Sequence, residues 1–273
     1  MTRAAARRRL GVAGWPVAHS RSPAMQQAAL DHLGLVGWRY QRLPMPPSLA
    51  PATLGALPEA GFLGVNVTIP HKEVALALAT DPTERARAIG AANTLVYGEH
   101  GTIVADNTDA PALVETLAAV GLTRPASALV LGAGGSARAA LWALREAGVA
   151  ELSVWNRTPE RAAALAAELG VRAVSATEAA GEFELIVNCT AVELHGADPF
   201  TALPLTAGQL ARCGGLADYA YGEGDTRLVA AARSAGVPTV DGLELLVAQG
   251  ALSFERFTGR PAPLAVMRAA VRR

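Results

Sequence analysis

Lys72 is the only lysine in a chain of 273 residues; arginine supplies the rest of the strongly basic side chains. A protein that uses arginine for charge but keeps lysine at one place points to a task arginine cannot do. An ammonium can give up its proton and shift its pKa when desolvated, whereas a guanidinium stays charged. Lys72 ends the stretch Gly64-Val65-Asn66-Val67-Thr68-Ile69-Pro70-His71-Lys72. That stretch reads as a short apolar strand from Phe62 to Val67, a turn, and a helix opening at Pro70. Asn66, Thr68 and Lys72 then meet at the carboxyl end of a strand, where α/β proteins place ligands.

The five asparagines repeat the theme. Asn66, Asn93, Asn107, Asn156 and Asn188 each lie in a loop-like motif at or near the end of an apolar run: VNVT, AANT, DNTD, WNRT and VNCT. Asn and Thr are the small hydrogen-bonding residues of turns and polar pockets. Turn chemistry accounts for Asn107, and the recurrence beside strand ends points to a polar small-molecule site for some of the others. Asp106 and Asp109 flank Asn107-Thr108 before a helix predicted over 110–120. One of these carboxylates can cap that helix, which frees the other to point elsewhere. Ser20 and Ser22 precede Pro23, with Ser22 reading as the N-cap of a helix running to about Leu33. Two hydroxyls at a helix N-terminus suit an anionic group such as a carboxylate.

A second chemistry begins near Ser127. The apolar strand 128–131 runs into Gly132-Ala133-Gly134-Gly135-Ser136-Ala137 and a helix. This strand, glycine turn and helix is the context a dinucleotide fingerprint requires, and alanine is permitted at its third glycine position. The following strand, 152–155, ends in Asn156-Arg157-Thr158, with Arg161 one turn on. Arginine where an acid would grip a free ribose 2′-hydroxyl argues for a 2′-phosphate, hence NADP rather than NAD.

The elements that position these groups alternate. Strands are predicted at 10–14, 37–43, 171–174, 185–188, 216–219 and 237–240, with a hairpin over 95–104. Helices are predicted at 48–57, from Asp81-Pro82-Thr83 onward, and at 159–169, 226–235, 243–257 and 261–271. The pattern is that of an α/β protein with the dinucleotide unit inserted in the chain. The terminal helices are predicted to return to the first domain, leaving a cleft between two lobes.

Composition excludes several function classes. Lys plus Arg and Asp plus Glu balance at 24 each, which offers no basic footprint for nucleic acid. No run approaches the roughly 18 apolar residues of a membrane span. Arg7-Arg8-Arg9 reads as a solvated N-terminal tail and not as part of a signal peptide. Cys189 and Cys213 form no CxxC, and the five histidines show no metal spacing, so no metal is expected. Cys189 reads as a small buried hydrophobe in a strand, and a reducing cytoplasm is the expected location.

Taken together, these residues resemble the shikimate dehydrogenase family. The resemblance rests on HSRSP (19–23), GVNVTIPHK (64–72), GAANT (90–94), NTD (107–109), GAGGSARA (132–139), NRT (156–158), DYAY (218–221) and LVAQG (246–250). It implies a two-domain α/β fold. Residues 1–108 and 242–273 would form the substrate-binding, catalytic domain, and 109–241 a Rossmann-like NADP-binding domain. It implies that Ser20, Ser22 and Tyr221 hold a substrate carboxylate, and that Asn66, Thr68, Asn93 and Gln249 hold its hydroxyls. Lys72 and Asp109 would form the catalytic pair. Gly132, Ala133, Gly134, Gly135, Ser136, Ala137, Asn156, Arg157, Thr158, Arg161 and Gly242 would hold NADP(H). The implied reaction is reversible NADPH-dependent reduction of 3-dehydroshikimate to shikimate, in aromatic amino-acid and chorismate biosynthesis, by a monomer or homodimer. Quinate or an aminoshikimate would be the alternative substrate on the same scaffold, and a non-catalytic NADP-binding sensor a remote one. Asp106, Ala191, Gly222 and Leu245 depart from the family pattern, where Gly, Ser, Pro and Met are usual.

Overall fold

The computed structural model describes residues 8–272. The chain divides into two compact units: Asp109–Leu246, and the described residues up to Thr108 together with those from Val247 onward. The second boundary falls inside the helix Gly242–Thr258, a few residues beyond the Asp241-Gly242 turn.

In chain order the first unit holds β1 (Arg8–Gly14), α1 (Ser22–His32), β2 (Trp38–Pro44), α2 (Ala50–Ala56), β3 (Phe62–Val67) and α3 (Lys72–Ala77). Next come β4 (Asp81–Pro82), α4 (Glu84–Ile89), β5 (Thr94–Tyr97) and β6 (Ile103–Asp106). Its six strands form one mixed sheet in the order β2-β1-β3-β5-β6-β4. The β1–β2 and β1–β3 pairs are parallel, whereas β3–β5 and β5–β6 are antiparallel. Val65 and Val67 of β3, Leu95 and Tyr97 of β5 and Ala105 of β6 share a core with Leu54 and Leu57 from beneath α2. Burying each such Val or Leu side chain contributes about 1.5–3 kcal/mol.

The second unit runs α5 (Asp109–Ala119), β7 (Ser127–Leu131), α6 (Gly135–Glu146), β8 (Glu151–Trp155), α7 (Pro159–Leu169), β9 (Arg172–Ala173) and α8 (Ala176–Ala179). It continues with β10 (Leu185–Asn188), α9 (Pro199–Ala202), α10 (Ala207–Leu210), β11 (Gly215–Asp218), α11 (Arg227–Ser234) and β12 (Thr239–Val240). The chain ends in α12 (Gly242–Thr258) and α13 (Leu264–Val271). The sheet order β12-β11-β10-β7-β8-β9 is parallel throughout. Residue alternation splits its two faces. Ala128, Val130, Leu185, Val187 and Ala217 meet α5, α6 and α7. Leu129, Leu131, Ile186 and Leu216 meet the helices α8, α10 and α11. A sheet covered on both faces needs such near-continuous apolar strands.

Several local expectations are corrected. Arg8 and Arg9 are not a solvated tail: they pair with Trp38 and Arg39 in the β1–β2 ladder, and the Arg8 guanidinium lies 5.2 Å from the Trp38 ring centroid. Arg7 lies outside the described residues. Asp81-Pro82 do not open a helix; they form a short edge strand on Val104 and Ala105, and Thr83 caps α4 through the Ala86 N–H. The helix predicted from Pro70 starts at Lys72, because the His71 N–H first closes a turn onto the Thr68 carbonyl at 2.9 Å. Cys189 follows β10 instead of lying within it, and is only partly buried.

Asp106 is the largest departure from local expectation. It caps nothing in α5 but ends β6, where it is 1% exposed. Its carboxylate accepts from Arg85 Nη2 at 2.7 and 2.8 Å, from the Thr83 hydroxyl at 2.8 Å, and pairs with Arg256 Nε of α12 at 2.5 Å. It thus ties α4, β6 and α12 together inside the first unit. Replacing Asp106 by Asn keeps the shape but leaves two guanidiniums facing a neutral amide. Removing one partner of a fully buried pair costs about 3–5 kcal/mol. Both arginines are partly exposed, so we expect about 2 kcal/mol here, read as a lowered urea midpoint at unchanged m-value.

Candidate functional site

In the first unit the predicted residues gather at the carboxyl ends of the parallel strands. Lys72 is the first residue of α3 and is 8% exposed, so it is not a stray surface lysine. Its backbone carbonyl accepts from the Ala92 N–H at 2.8 Å, which joins the lysine turn to the segment carrying Asn93. A buried ammonium is costly unless charge or hydrogen bonds compensate it, so Lys72 is held there by its surroundings. Thr68 is partly buried, and its N–H bonds the Ala13 carbonyl at 2.9 Å, which registers the turn on β1.

Three side-chain amides interlock beside it. Asn66, at 6% exposure, accepts the Tyr40 hydroxyl on Oδ1 at 2.7 Å, and its Nδ2 faces Thr94 Oγ1 at 3.2 Å and the Asn93 carbonyl at 3.4 Å. Asn93 Oδ1 accepts from the Thr108 N–H at 2.8 Å and from the Thr94 hydroxyl at 3.0 Å. Asn93 Nδ2 lies 2.9 Å from Thr108 Oγ1 and 3.4 Å from Gln249 Oε1. Asn66, Asn93 and Gln249 are therefore one network. Thr94, Thr108, Tyr40 and Ser253 complete it, and sequence reasoning did not select them. Thr94 and Thr108 were within reach, since each follows a flagged asparagine; Tyr40 and Ser253 carried no local signal.

Ser20 and Ser22 are both buried. Their roles at the helix differ from the expected ones. Ser22 is already inside α1, whose N-cap is Arg21 with no side-chain cap bond. It is Ser20 whose Oγ accepts from the Ser22 N–H, at 3.3 Å. Capping therefore does not account for the Ser22 hydroxyl. Arg42 Nη2 donates to the Ser20 carbonyl at 2.7 Å, which sets a positive charge beside the serine loop.

The second unit carries the remainder. Asp109 is the first residue of α5, where a carboxylate suits the positive end of the helix dipole, and it is 5% exposed. Burial pushes the Tyr219 phenol well above its usual pKa, and the nearby Cys189 and Asp109 charges add to this. Tyr221 is partly buried just beyond β11.

The glycine turn fits a dinucleotide. Gly132 has φ +111°, and a Cβ there would press on the Cys189 backbone at 3.3 Å. Space in front of Gly134 is open, and as N-cap of α6 it gives the first-turn N–H groups no side-chain partner. The N-terminus of a twelve-residue helix suits a diphosphate. Ala133, Gly135 and Ser136 stay partly exposed along the turn, whereas Ala137 is buried against the core. At the end of β8, Asn156 Nδ2 bonds the Thr158 carbonyl at 3.0 Å, shaping the turn. Arg157, Thr158 and Arg161 are exposed there, and among the described residues neither guanidinium has an acidic partner. Gly242 has a packing reason of its own: a Cβ would come within 2.3 Å of the Ala220 carbonyl oxygen.

Two asparagines turn out to be structural. Asn107 Nδ2 bonds the Ala91 carbonyl at 2.9 Å with the residue fully buried. Asn188 donates to Asp218 Oδ1 at 2.8 Å and accepts from the Thr190 hydroxyl at 2.7 Å, which ties β10 to β11. Asp218 also accepts from the Ala220 N–H at 3.0 Å and the Thr226 hydroxyl at 2.6 Å. Burial outweighs these bonds and pushes its pKa up to about 6 from 3.8. The folded state then holds this proton more tightly than the unfolded chain. The associated stability is present below about pH 4 and is lost as pH rises through about 6, amounting to about 3 kcal/mol. We expect Asp218→Asn to lack this loss. The stability difference between variant and parent should move in the variant's favour between pH 4 and pH 7.5 in urea titrations; a pH-independent difference would contradict the assignment.

Among the described residues no group of three or more His, Cys, Asp or Glu is placed to hold a metal ion, and no helix is long and apolar enough to cross a membrane.

Comparison with known proteins follows this division of the chain. Residues 12–95 match the model of the shikimate dehydrogenase substrate binding domain, 116–195 that of shikimate / quinate 5-dehydrogenase, and 242–272 that of the shikimate 5'-dehydrogenase C-terminal domain. A shikimate dehydrogenase (NADP(+)) of Anaeromyxobacter sp. (strain Fw109-5) is 47% identical over 275 residues, covering 96% of this chain and 94% of that one. The crystal structure of shikimate 5-dehydrogenase from Thermus thermophilus in complex with NADP(H) and shikimate has a TM-score of 0.85 at 43% identity, covering 97% of this chain and 98% of that one. Shikimate dehydrogenase from Aquifex aeolicus gives a TM-score of 0.86 at 32% identity, with full coverage of both chains. The two-sheet α/β architecture, the interlocked amides beside Lys72, the glycine turn with its basic strand end and these relatives agree: the chain belongs to the shikimate dehydrogenase family.

Proposed function

We propose that the protein catalyses the reversible NADPH-dependent reduction of 3-dehydroshikimate to shikimate. The observation that carries the reading is the buried Lys72 beside the amide network of Asn66, Asn93 and Gln249. NADPH, when bound, supplies hydride; the protein must hold the ketone and supply a proton. The Lys72 ammonium is suited to polarise the ketone oxygen and to donate the proton as charge develops there. Asp109 is proposed as the second proton-handling residue, balancing the ammonium's charge. Ser20, Ser22 and Tyr221 would hold the carboxylate, with hydroxyls meeting Asn66, Thr68, Asn93 and Gln249. Gly132 to Ala137 would cradle the diphosphate at the start of α6. Asn156, Arg157, Thr158 and Arg161 would meet the 2′-phosphate, with Gly242 near the cofactor. The test is product identification: 3-dehydroshikimate incubated with NADPH and purified protein should yield shikimate and NADP in equal amounts by NMR. Recovery of unreacted substrate under conditions where NADPH binds would overturn the reading.

A further inference from the structure

The two serine hydroxyls carry no charge of their own for an anion. Ser20 and Ser22 are 4% and 6% exposed, and among the described residues neither hydroxyl donates to a protein acceptor. Such hydroxyls offer hydrogen bonds to a carboxylate but leave its charge uncompensated, and taking an unpaired charge out of water is costly. Arg21 stands between them, and its Nη1 donates to the Val271 carbonyl at the end of α13, which ties the loop to that helix. Arg42 is placed differently. It lies near the carboxyl end of β2, opposite Val12 of β1 and so two residues short of the end of β1, from which the serine loop departs. Residues two apart on a strand share a face, so Arg42 stands on the face of Tyr40, whose hydroxyl reaches Asn66. Its Nη2 donates to the Ser20 carbonyl at 2.7 Å. Among the described residues no carboxylate pairs with it, and neither residues 15–27 nor β2 contains an acid. A guanidinium anchored on the loop, with its charge unpaired, stands beside two hydroxyls free to donate.

We infer that Arg42 is a specificity residue that acts through space: its guanidinium supplies the positive charge the serine loop lacks, so that the loop favours an ionised carboxylate. This deepens the proposed function and rests on its placing the substrate carboxylate at Ser20 and Ser22. A carboxylate accepting from the Ser20 hydroxyl lies within about one Debye length, about 8 Å in physiological salt, of a guanidinium bonded to the carbonyl of the same residue. At that range opposite charges attract without contact, and salt screens the attraction. Holding the loop in shape is a different task. It needs only an N–H on the Ser20 carbonyl and no charge, so the two roles separate by experiment.

The test compares the wild type with Arg42→Gln, which removes the charge, and Arg42→Lys, which keeps it. KM for shikimate is measured at saturating NADP between about 0.02 M and about 0.5 M salt, where the Debye length shrinks from roughly 20 Å to roughly 4 Å. At low salt Arg42→Gln should raise KM for shikimate about 3- to 5-fold, the scale of one partly exposed charge pair. Both kcat and KM for NADP should stay within about twofold, because the glycine turn lies in the other unit. The wild type and Arg42→Lys should lose shikimate affinity as salt rises, and Arg42→Gln should respond less. A loosened loop would raise KM in Arg42→Gln yet leave its salt response at the wild-type size, and that result would overturn the inference. Unchanged KM in Arg42→Gln, or a loss in Arg42→Lys equal to that in Arg42→Gln, would overturn it as well. A wild type that binds shikimate without turning it over would instead refute the proposed function, and calorimetric shikimate binding by the three proteins over the same salt range would then still read the charge.

Discussion

Lys72→Ala is expected to lower kcat by about a thousandfold, within the range typical of lost general acid–base catalysis, while leaving NADPH affinity within about twofold. The expectation follows from placement. Lys72 lies in the first unit, at the turn joined to the Asn93 segment, whereas the glycine turn and the basic strand end lie in the second. Its removal should therefore touch ketone polarisation and proton supply and not dinucleotide binding. Lys72→Arg should fare little better, since a guanidinium keeps the positive charge but not a proton it can readily release. Stopped-flow hydride transfer alongside fluorescence titration of NADPH separates the two effects. Turnover at the parent rate would remove Lys72 from the mechanism.

Arg157→Ala is expected to weaken NADPH binding about 10- to 100-fold and NADH binding by less than about twofold. Hydrogen bonds to charged groups contribute about 1.5–3 kcal/mol, more than neutral ones. Arg157 is exposed, and among the described residues no carboxylate competes for it. Arg161 stands one turn on in α7 and is exposed as well, so the double variant should lose more than the single. Equal losses for both cofactors would contradict the 2′-phosphate assignment.

The parts of the fold legible in the sequence are those where local pattern and tertiary demand agree. The strand Leu185–Asn188 was predicted with its observed bounds, because an apolar run buried on both faces has no competing local reading. The passage from β7 through Gly132–Gly134 into α6 was legible for a similar reason: strand, glycine turn and helix each carry their own signal. Asp106 shows where legibility stops. Next to a helix it looks like a cap, but Arg85 and Arg256, from α4 and α12, claim its carboxylate. Ser22 before Pro23 likewise reads as a cap, yet helical geometry has already begun at Ser22. The candidate site followed the same rule. Asn66, Asn93 and Lys72 could be picked out by type and spacing. Tyr40 and Ser253, which donate to Asn66 Oδ1, come from β2 and α12, and only the folded chain brings them to it.

The steady-state rate in the NADPH absorbance band, with shikimate or quinate each paired with NADP or NAD, reads the proposed NADP-linked shikimate dehydrogenase activity directly. Turnover with shikimate and NADP that exceeds each other pair by at least about tenfold in kcat/KM is the predicted result. Turnover mainly with quinate, or equally with NAD, would contradict it.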